Sequence, residues 1–511
     1  MREFIGREGA RKLKTRTLGG FLAAQAPRAE ALVTPTRRLT YGELRAAAQS
    51  IARAMHGLGL RKGEHAAILM GNDEHWLTLF YGAALLGVVT VPVPARVKAA
   101  ELEFCLRQAE CKAIFLAPKF RDSDHGAMLR RIEARLPLLA HKVVQGEDSW
   151  REFAALDRGR ELPSTAGPDD LLLIQFTSGT TANPKGAMLT HDNMLRSAWA
   201  AGGRIGVLPA DRYFNCHPFS HVGGSTLSAL VCLAYGACLV TLPAFEAGAA
   251  LAMMETERCT LTSGNDTIFQ MLMGHPDVPR RRLCLRGGWA AAGPRTLRGI
   301  IDVLGAKHVC AAYGLSEASP NVVMSHWRDA EALRVQGLAT PLSGLQLRTL
   351  DGEIQVRGWS VMRGYCNNPA ATAQAFTADG WLRTGDLGEL HAGGRLRMLG
   401  RLKDVFRVGG ENVAPAQVEE VLLAHPAVES AQVVGVPDAR LGEVPCAYVT
   451  LRAGRSLTED ALLAWTRERC ANFRVPRYLR IVRDFEVIGM TASGKVRKSR
   501  LREYALKEFN L

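Results

Sequence analysis

The sequence predicts an α/β protein of two or more domains, and three observations carry that prediction. At 511 residues the chain is too long for one compact core. From residue 40 to 170, and again towards 313, short apolar runs alternate with helical stretches. Strands spaced by helices imply a mainly parallel sheet. From about 337 the texture shifts to short strands and glycine turns, and after Gly400 to Asp404 it resets again.

The elements follow in order. Leu18 to Ala26 begins after basic residues that run through Arg16. It resembles a signal peptide weakly, but its apolar part is short and broken by Gln25, so an amphipathic helix entering the fold is expected. No apolar run reaches the ~20 residues that span a bilayer. Thr40 caps a helix, with Glu43 three positions on. Ala66 to Met70 reads as a buried strand, His75 to Gly87 as a helix, and Val88 to Pro94 and Ala113 to Ala117 as further strands. The same period places strands at Leu171 to Phe176, Ala237 to Leu242, Thr260 to Thr262 and His308 to Tyr313. Leu345 to Leu350, Gly352 to Val356 and Gly394 to Leu399 read as a β-rich subdomain. Then Pro415 to His425 is helical, Ala431 to Val436 and Ala447 to Leu451 are strands, and Leu457 to Cys470 is helical. A domain boundary near Lys403 divides the chain into residues 1–402 and 403–511.

Composition narrows the function classes. Hydrophobic residues at 47% and charged residues at 22% are ordinary for a soluble globular protein. The net charge is +14, but no long Lys/Arg block accompanies it and aromatics are only 7%. With no helix-turn-helix, zinc-finger or RNP-like signature, no nucleic-acid partner is expected, and the excess arginine suits polyanionic small substrates. Eleven cysteines are scattered without a C-x-x-C, the closest pairs being Cys105/Cys111 and Cys232/Cys238. That spacing suits neither zinc nor a disulfide scaffold, so reduced, mostly buried thiols in the cytoplasm are expected, with Cys216 as packing.

The strongest chemical signal follows the strand Leu171 to Phe176. Thr177, Ser178, Thr180 and Thr181 surround Gly179, and Pro184, Lys185 and Gly186 close the loop. Glycine lets backbone N–H groups approach phosphate oxygens, while hydroxyls and Lys185 add donors and charge. The order is not that of a Walker A loop, because Lys185 precedes its glycine. Downstream, the strand ending in Tyr313 and Gly314 offers an aromatic face for a base and a glycine for close approach. Leu315 follows, Ser316 can donate to a phosphate, and Glu317 can hold a hard cation such as Mg²⁺. Asp386, in Trp381-Leu-Arg-Thr-Gly-Asp386, can accept both hydroxyls of a ribose. Alone, Glu317 reads more readily as a surface turn and Gly409–Gly410 as an ordinary turn, while Asp386 also reads as a turn former and the C-terminal lysines and arginines as a solvated basic tail.

Together these stretches resemble AMP-forming acyl-CoA synthetases of the adenylate-forming superfamily, which also holds luciferases and peptide-synthetase adenylation domains. The loop resembles that family's Thr-Ser-Gly-Thr-Thr-Gly-x-Pro-Lys-Gly, departing at Ala182. Tyr313 to Glu317 resembles Tyr-Gly-x-Thr-Glu, and Trp381 to Asp386 resembles Trp-x-x-Thr-Gly-Asp. Gly400 to Asn412 resembles the hinge and the loop after it. Thr491 to Lys498 resembles the C-terminal catalytic loop, with Gly489 where proline is common.

The resemblance implies a large N-terminal domain of two α/β subdomains plus a β-rich one, then a small mobile α+β C-terminal domain. It implies ATP, Mg²⁺ and CoA acting on a small-molecule carboxylic acid. Lys495 is the implied catalytic lysine, Lys403 the hinge, and Arg401 a ribose or phosphate contact. Gly409 and Gly410 lie where a pantetheine arm passes, and Thr180 with Glu317 faces the metal. His221, in His217 to Gly224, matches the His beside the carboxylate pocket. Ala291, Ala292 and Gly293 flank adenine and acyl group, with Ala290 replacing a serine and Trp289 either closing the tunnel or packing in the core. A medium-chain fatty or other hydrophobic acid is expected. A carrier-loading adenylation enzyme, a luciferase-like oxygenase and a nonenzymatic binding protein are the alternatives.

Overall fold

The structure is a computed structural model that describes residues 3–5, 15–162, 166–177, 184–485, 488–489 and 496–511. Two sheets dominate the first four hundred residues. One runs Lys185–Thr190, Leu171–Thr177, Val89–Pro92, His65–Leu69, Ala113–Leu116, His141–Val144. All its pairs are parallel except the first, where Leu171–Thr177 turns back on Lys185–Thr190. The second, nine-stranded sheet has parallel pairing from His308–Gly314 through Gly287–Ala291, Leu261–Asn265, Arg212–Asn215 and Cys238–Thr241 to Glu30–Val33. Antiparallel strands finish both edges. The expected parallel character therefore holds in the sheet interiors and fails where a short loop or hairpin reverses the chain.

The largest apolar core lies around helices Tyr41–Gly57, Glu74–Leu86 and His191–Ile205. Thr40 and Glu43 form the expected capping box on the first of these. The helix Leu18–Ala23 is capped by Thr17 and buries Leu18, Phe21 and Leu22, so this segment packs into the fold. A third, antiparallel sheet of Glu3–Ile5, Gln346–Leu350, Glu353–Arg357, Leu382–His391 and Arg395–Arg401 is the β-rich subdomain.

The small C-terminal domain has its own sheet, Glu411–Val413, Phe406–Val408, Gly442–Leu451, Val428–Asp438, with Tyr478–Ile481 parallel to Gly442–Leu451. It packs on Pro415–Leu423 and Glu459–Arg467 on one side and Lys498–Glu508 on the other. Pro415 stands at the first helical position, where its missing N–H costs nothing. The helix expected over 457–470 is shorter, since Thr458 caps it by accepting from Ala461 N–H.

Cysteines 105, 111, 216, 232, 238, 259, 310, 366 and 446 are free and buried, and Cys284 is exposed. Burial pushes the Cys216 thiol up to about 12, and its contact is Thr262 Oγ1 at 3.5 Å, so it is packing. Among the described residues no helix is long and apolar enough to cross a membrane.

Candidate active site

Strand Leu171–Thr177 ends where the expected phosphate-loop segment begins. Thr177 pairs with Lys185 across the loop neck, and Thr177 Oγ1 donates to Lys185 O at 3.3 Å. Ser178, Gly179, Thr180, Thr181 and Ala182 lie outside the described residues, as does Lys495. Gln175, read only as part of an apolar run, donates through Nε2 to Ser220 O at 3.1 Å and ties this strand to the His217–Gly224 segment.

A further segment closes on the strand Lys185–Thr190. Arg363 N–H donates to Met188 O at 3.0 Å, Met188 N–H to Gly364 O at 2.9 Å, and Cys366 N–H to Gly186 O at 2.8 Å. These bonds place Tyr365 between two expected site residues. Its hydroxyl donates to Glu317 Oε1 at 2.9 Å, and Lys185 Nζ lies 5.2 Å from its ring centroid. Burial, and then the Glu317 charge, push the phenol up, so it is a neutral donor. The sequence carried no signal for this residue.

The Tyr313–Glu317 segment leaves strand His308–Gly314 in a sharp turn. A Cβ at Gly314 would lie 1.8 Å from Pro320 O, so only glycine permits the turn that Leu315 N–H closes on Pro320 O at 2.8 Å. Ser316 to Ala318 form one 3₁₀ turn, and Glu317 O accepts from Met362 N–H at 2.8 Å. Tyr313 OH donates to Asp386 Oδ2 at 2.8 Å. Burial, and then Asp386, raise the Tyr313 phenol well above its ordinary value.

Asp386 was expected in a tight turn. It instead stands within strand Leu382–His391, only 7% exposed. Gly385 has φ +69°, and Thr384 Oγ1 accepts from Asp386 N–H at 3.1 Å while donating to Ile354 O at 2.7 Å. This kink aims the carboxylate at Tyr313. Asp386 faces Arg401 across the strand pair, with Arg401 Nε 3.6 Å from Oδ1. Lys403 follows in the 3₁₀ turn Leu402–Asp404, its ammonium pulled down by burial and then by Arg401.

On the acid side, the His217 loop is held by two buried asparagines. Asn72 donates to His217 O at 2.8 Å and accepts from Phe219 N–H at 2.7 Å, and Asn215 donates to His217 O at 2.7 Å. His221 Nδ1 accepts from Gly223 N–H at 3.1 Å, which assigns the proton of the neutral ring to Nε2 and makes that atom a donor. Three rings form a ladder: His221 to His217 at 6.4 Å, then His217 to Trp289 at 5.2 Å with planes 2° apart. Trp289, 5% exposed, donates to Leu227 O at 3.4 Å within the π-helical turn Ser225–Leu230. Trp289 is thus held within the apolar core. Beyond it Ala290 is buried, Ala292 half-buried and Ala291 exposed, while Gly293 N–H donates to Asp266 at 3.2 Å.

In the C-terminal domain Gly409 and Gly410 form the tip of a two-residue hairpin, with φ +57° and +98°. The space beside Gly410 is open, whereas a Cβ at Gly409 would lie 3.2 Å from Leu441 Cδ2, and the positive φ of the turn accounts for both glycines. The C-terminal basic residues are not simply solvated. Lys498 Nζ pairs with Glu419 and donates to Val433 O at 2.7 Å, and Arg502 meets Glu443 at 2.9 Å.

Lys185, Tyr365 and Glu317 therefore form one chain of contacts and Tyr313, Asp386 and Arg401 a second, with the Tyr313–Glu317 segment supplying one residue to each. Comparison with known proteins gives it a context. Residues 22–366 match the AMP-binding enzyme family, and residues 417–495 match the AMP-binding enzyme C-terminal domain. The chain belongs to the AMP-binding enzymes of the adenylate-forming superfamily. It is 38% identical, over 94% of its length and 97% of the relative's, to the 3-[(3aS,4S,7aS)-7a-methyl-1,5-dioxo-octahydro-1H-inden-4-yl]propanoyl:CoA ligase of Mycobacterium tuberculosis. It is 31% identical to the mitochondrial medium-chain acyl-CoA ligase ACSF2 of Bos taurus, over 98% of this chain and 89% of that one. ATP-bound MatB of Rhodopseudomonas palustris superposes with a TM-score of 0.87 at 27% identity, covering 97% of this chain and 100% of that one. Within its superfamily the chain is an ATP-dependent, AMP-forming carboxylic acid–CoA ligase.

Proposed function

We propose that this ligase activates a hydrophobic carboxylic acid of medium-chain or similarly compact size. The observation that supports this most is the ring ladder ending at Trp289, followed by Ala290 to Gly293. No Asp lies between Tyr213 and Thr226 to hold an amino group. Two relatives that resemble the chain over most of its length carry a bicyclic propanoyl group and medium-chain acyl groups in their names.

The reaction has two steps. A carboxylate oxygen attacks the α-phosphorus of ATP, the bond to the β-phosphate oxygen breaks, and acyl-AMP and pyrophosphate result. The CoA thiol, losing its proton, then attacks the acyl carbon, and AMP leaves. Thr177 to Gly186 grips the β- and γ-phosphates, with Lys185 as clamp. Tyr313 offers its ring to adenine, and Gly314, Leu315 and Ser316 line the approach to the phosphates. Asp386 accepts from the ribose hydroxyls, with Arg401 beside it. His221 presents its Nε2 proton on the carboxylate side. Lys495 stabilises the charge that shifts from carboxylate to phosphate oxygens in the transition state.

Mg²⁺ fits this donor set, because it is held by one or two carboxylates plus phosphate oxygens, and Glu317 with Thr180 supplies the protein's share. When bound it neutralises polyphosphate charge. The chain divides into residues 1–402 and 403–511, and rotation at Lys403 withdraws Lys495 and presents Gly409 and Gly410 to CoA. The unpaired, largely buried cysteines suit a reducing compartment such as the cytoplasm. Relatives named as CoA ligases favour CoA over a carrier protein as acceptor.

An acid panel assayed with ATP and CoA tests the proposal. Medium-chain and compact ring acids are expected to release pyrophosphate and form thioesters. Preference for amino acids or short dicarboxylic acids would overturn it.

A further inference from the structure

We propose that Tyr365 is a positioning residue for acyl-adenylate formation: its hydroxyl orients Glu317, and its ring seats the Lys185 ammonium. One side chain thereby sets the spacing between the metal-facing carboxylate and the phosphate clamp. The inference rests on the roles given above to Glu317 and Lys185.

The geometry points to positioning because the Tyr365 backbone is fixed by bonds that use neither the Glu317 carboxylate nor the Lys185 ammonium. Its backbone is fastened on one side to the strand after the phosphate loop, through Met188 and Gly186. On the other side Tyr365 N–H donates to Thr372 Oγ1 at 2.9 Å, and Thr372 in turn donates to Asn368 O at 2.9 Å. Gly364 before it has φ +139°, and a Cβ there would lie 2.8 Å from Thr372 Cγ2, so the chain reaches this position only through glycine. The ring then spans the gap from Lys185 to Glu317, which lies 48 residues before Tyr365 in sequence.

The chemistry matches that placement. A carboxylate has two oxygens. The phenol occupies Oε1 at 2.9 Å and fixes the carboxylate plane, which leaves Oε2 to face a cation. Lys185 at 5.2 Å from the ring centroid is within cation–π range, which restrains an otherwise flexible side chain. Hydroxyl and ring face thus act on two different partners and can be separated by substitution.

Tyr365→Phe removes the hydroxyl and keeps the ring, whereas Tyr365→Leu removes both. Calorimetric ATP titrations with and without Mg²⁺, alongside thermal melts, read the two functions. For Tyr365→Phe, affinity for ATP with Mg²⁺ is expected to fall about 5- to 10-fold. Its metal-free ATP affinity stays unchanged, and its Tm stays within about 2 °C of wild type. Tyr365→Leu is expected to weaken metal-free ATP binding as well, by about 3-fold. In a Glu317→Gln background, Tyr365→Phe should add nothing to the Mg²⁺ effect. An unchanged Mg²⁺ dependence in Tyr365→Phe, with Glu317→Gln impaired, overturns this proposal alone. An unchanged Mg²⁺ dependence in Glu317→Gln itself overturns the metal-facing role of Glu317, and this proposal with it. Additive losses in the double variant also overturn it, since they mean that Tyr365 acts through packing.

Discussion

Asp386→Asn isolates the ribose contact. The Asp386 carboxylate is nearly buried, its Oδ2 held by Tyr313 OH at 2.8 Å and its Oδ1 facing Arg401 at 3.6 Å. Asparagine keeps the shape and one acceptor but replaces the other with a donor. One charge-assisted bond to a ribose hydroxyl is lost, worth about 1.5–3 kcal/mol. At about 1.4 kcal/mol per factor of ten, ATP binding weakens roughly 10- to 100-fold. The Arg401 pair adds little, because that guanidinium is half exposed and screened. Calorimetric titration with ATP and with 2′,3′-dideoxy-ATP gives the test. Wild type should bind dideoxy-ATP much more weakly than ATP, and Asp386→Asn should discriminate far less. A variant that binds ATP within about twofold of wild type, or still rejects the dideoxy nucleotide fully, refutes the ribose assignment.

Three further outcomes follow from the packing. Gly314→Ala drives a Cβ into Pro320 O, so it should lose about 1–3 kcal/mol of stability and most ATP affinity, checked by melts and titration. Asn72→Ala strips a partner from the buried Phe219 N–H, and should cost about 1–3 kcal/mol in denaturant unfolding while raising the KM of the acid more than that of ATP. His191, buried and accepting from Leu18 N–H, has its imidazole pushed down to about 4, against about 6.5 when unfolded. Below pH about 6.5 the unfolded chain takes up this proton and the native one does not, so stability falls by roughly 3 kcal/mol as pH drops to about 4. His191→Gln should flatten the dependence of unfolding free energy on pH by one proton across that window.

The sequence carried much of this architecture where local chemistry decides it. Strand Leu171–Thr177 was legible because an uninterrupted apolar run ends in hydroxyls and glycine, and the Thr40 capping box because its two partners are three residues apart. Gly314 was legible as a close-approach glycine, although its reason is the Pro320 carbonyl. Asp386 was singled out as a candidate, but its place in a kinked strand was not legible, since the pairing with Arg395–Arg401 is a tertiary fact. Tyr365, Asn72 and Gln175 went unseen for the same reason. Each acts through a partner 45 or more residues away, and no spacing rule relates the two. The glycines at 409 and 410 show the opposite case: their motif was visible, while the structure supplies a hairpin turn as their local cause.

In the proposed reaction one site runs two half-reactions by exchanging C-terminal elements. The direct measurement compares both half-reactions in Lys495→Ala: acid-dependent pyrophosphate release from ATP, and thioester formation from supplied acyl-AMP and CoA. The first is expected to be abolished and the second largely retained. Equal loss of both would contradict it.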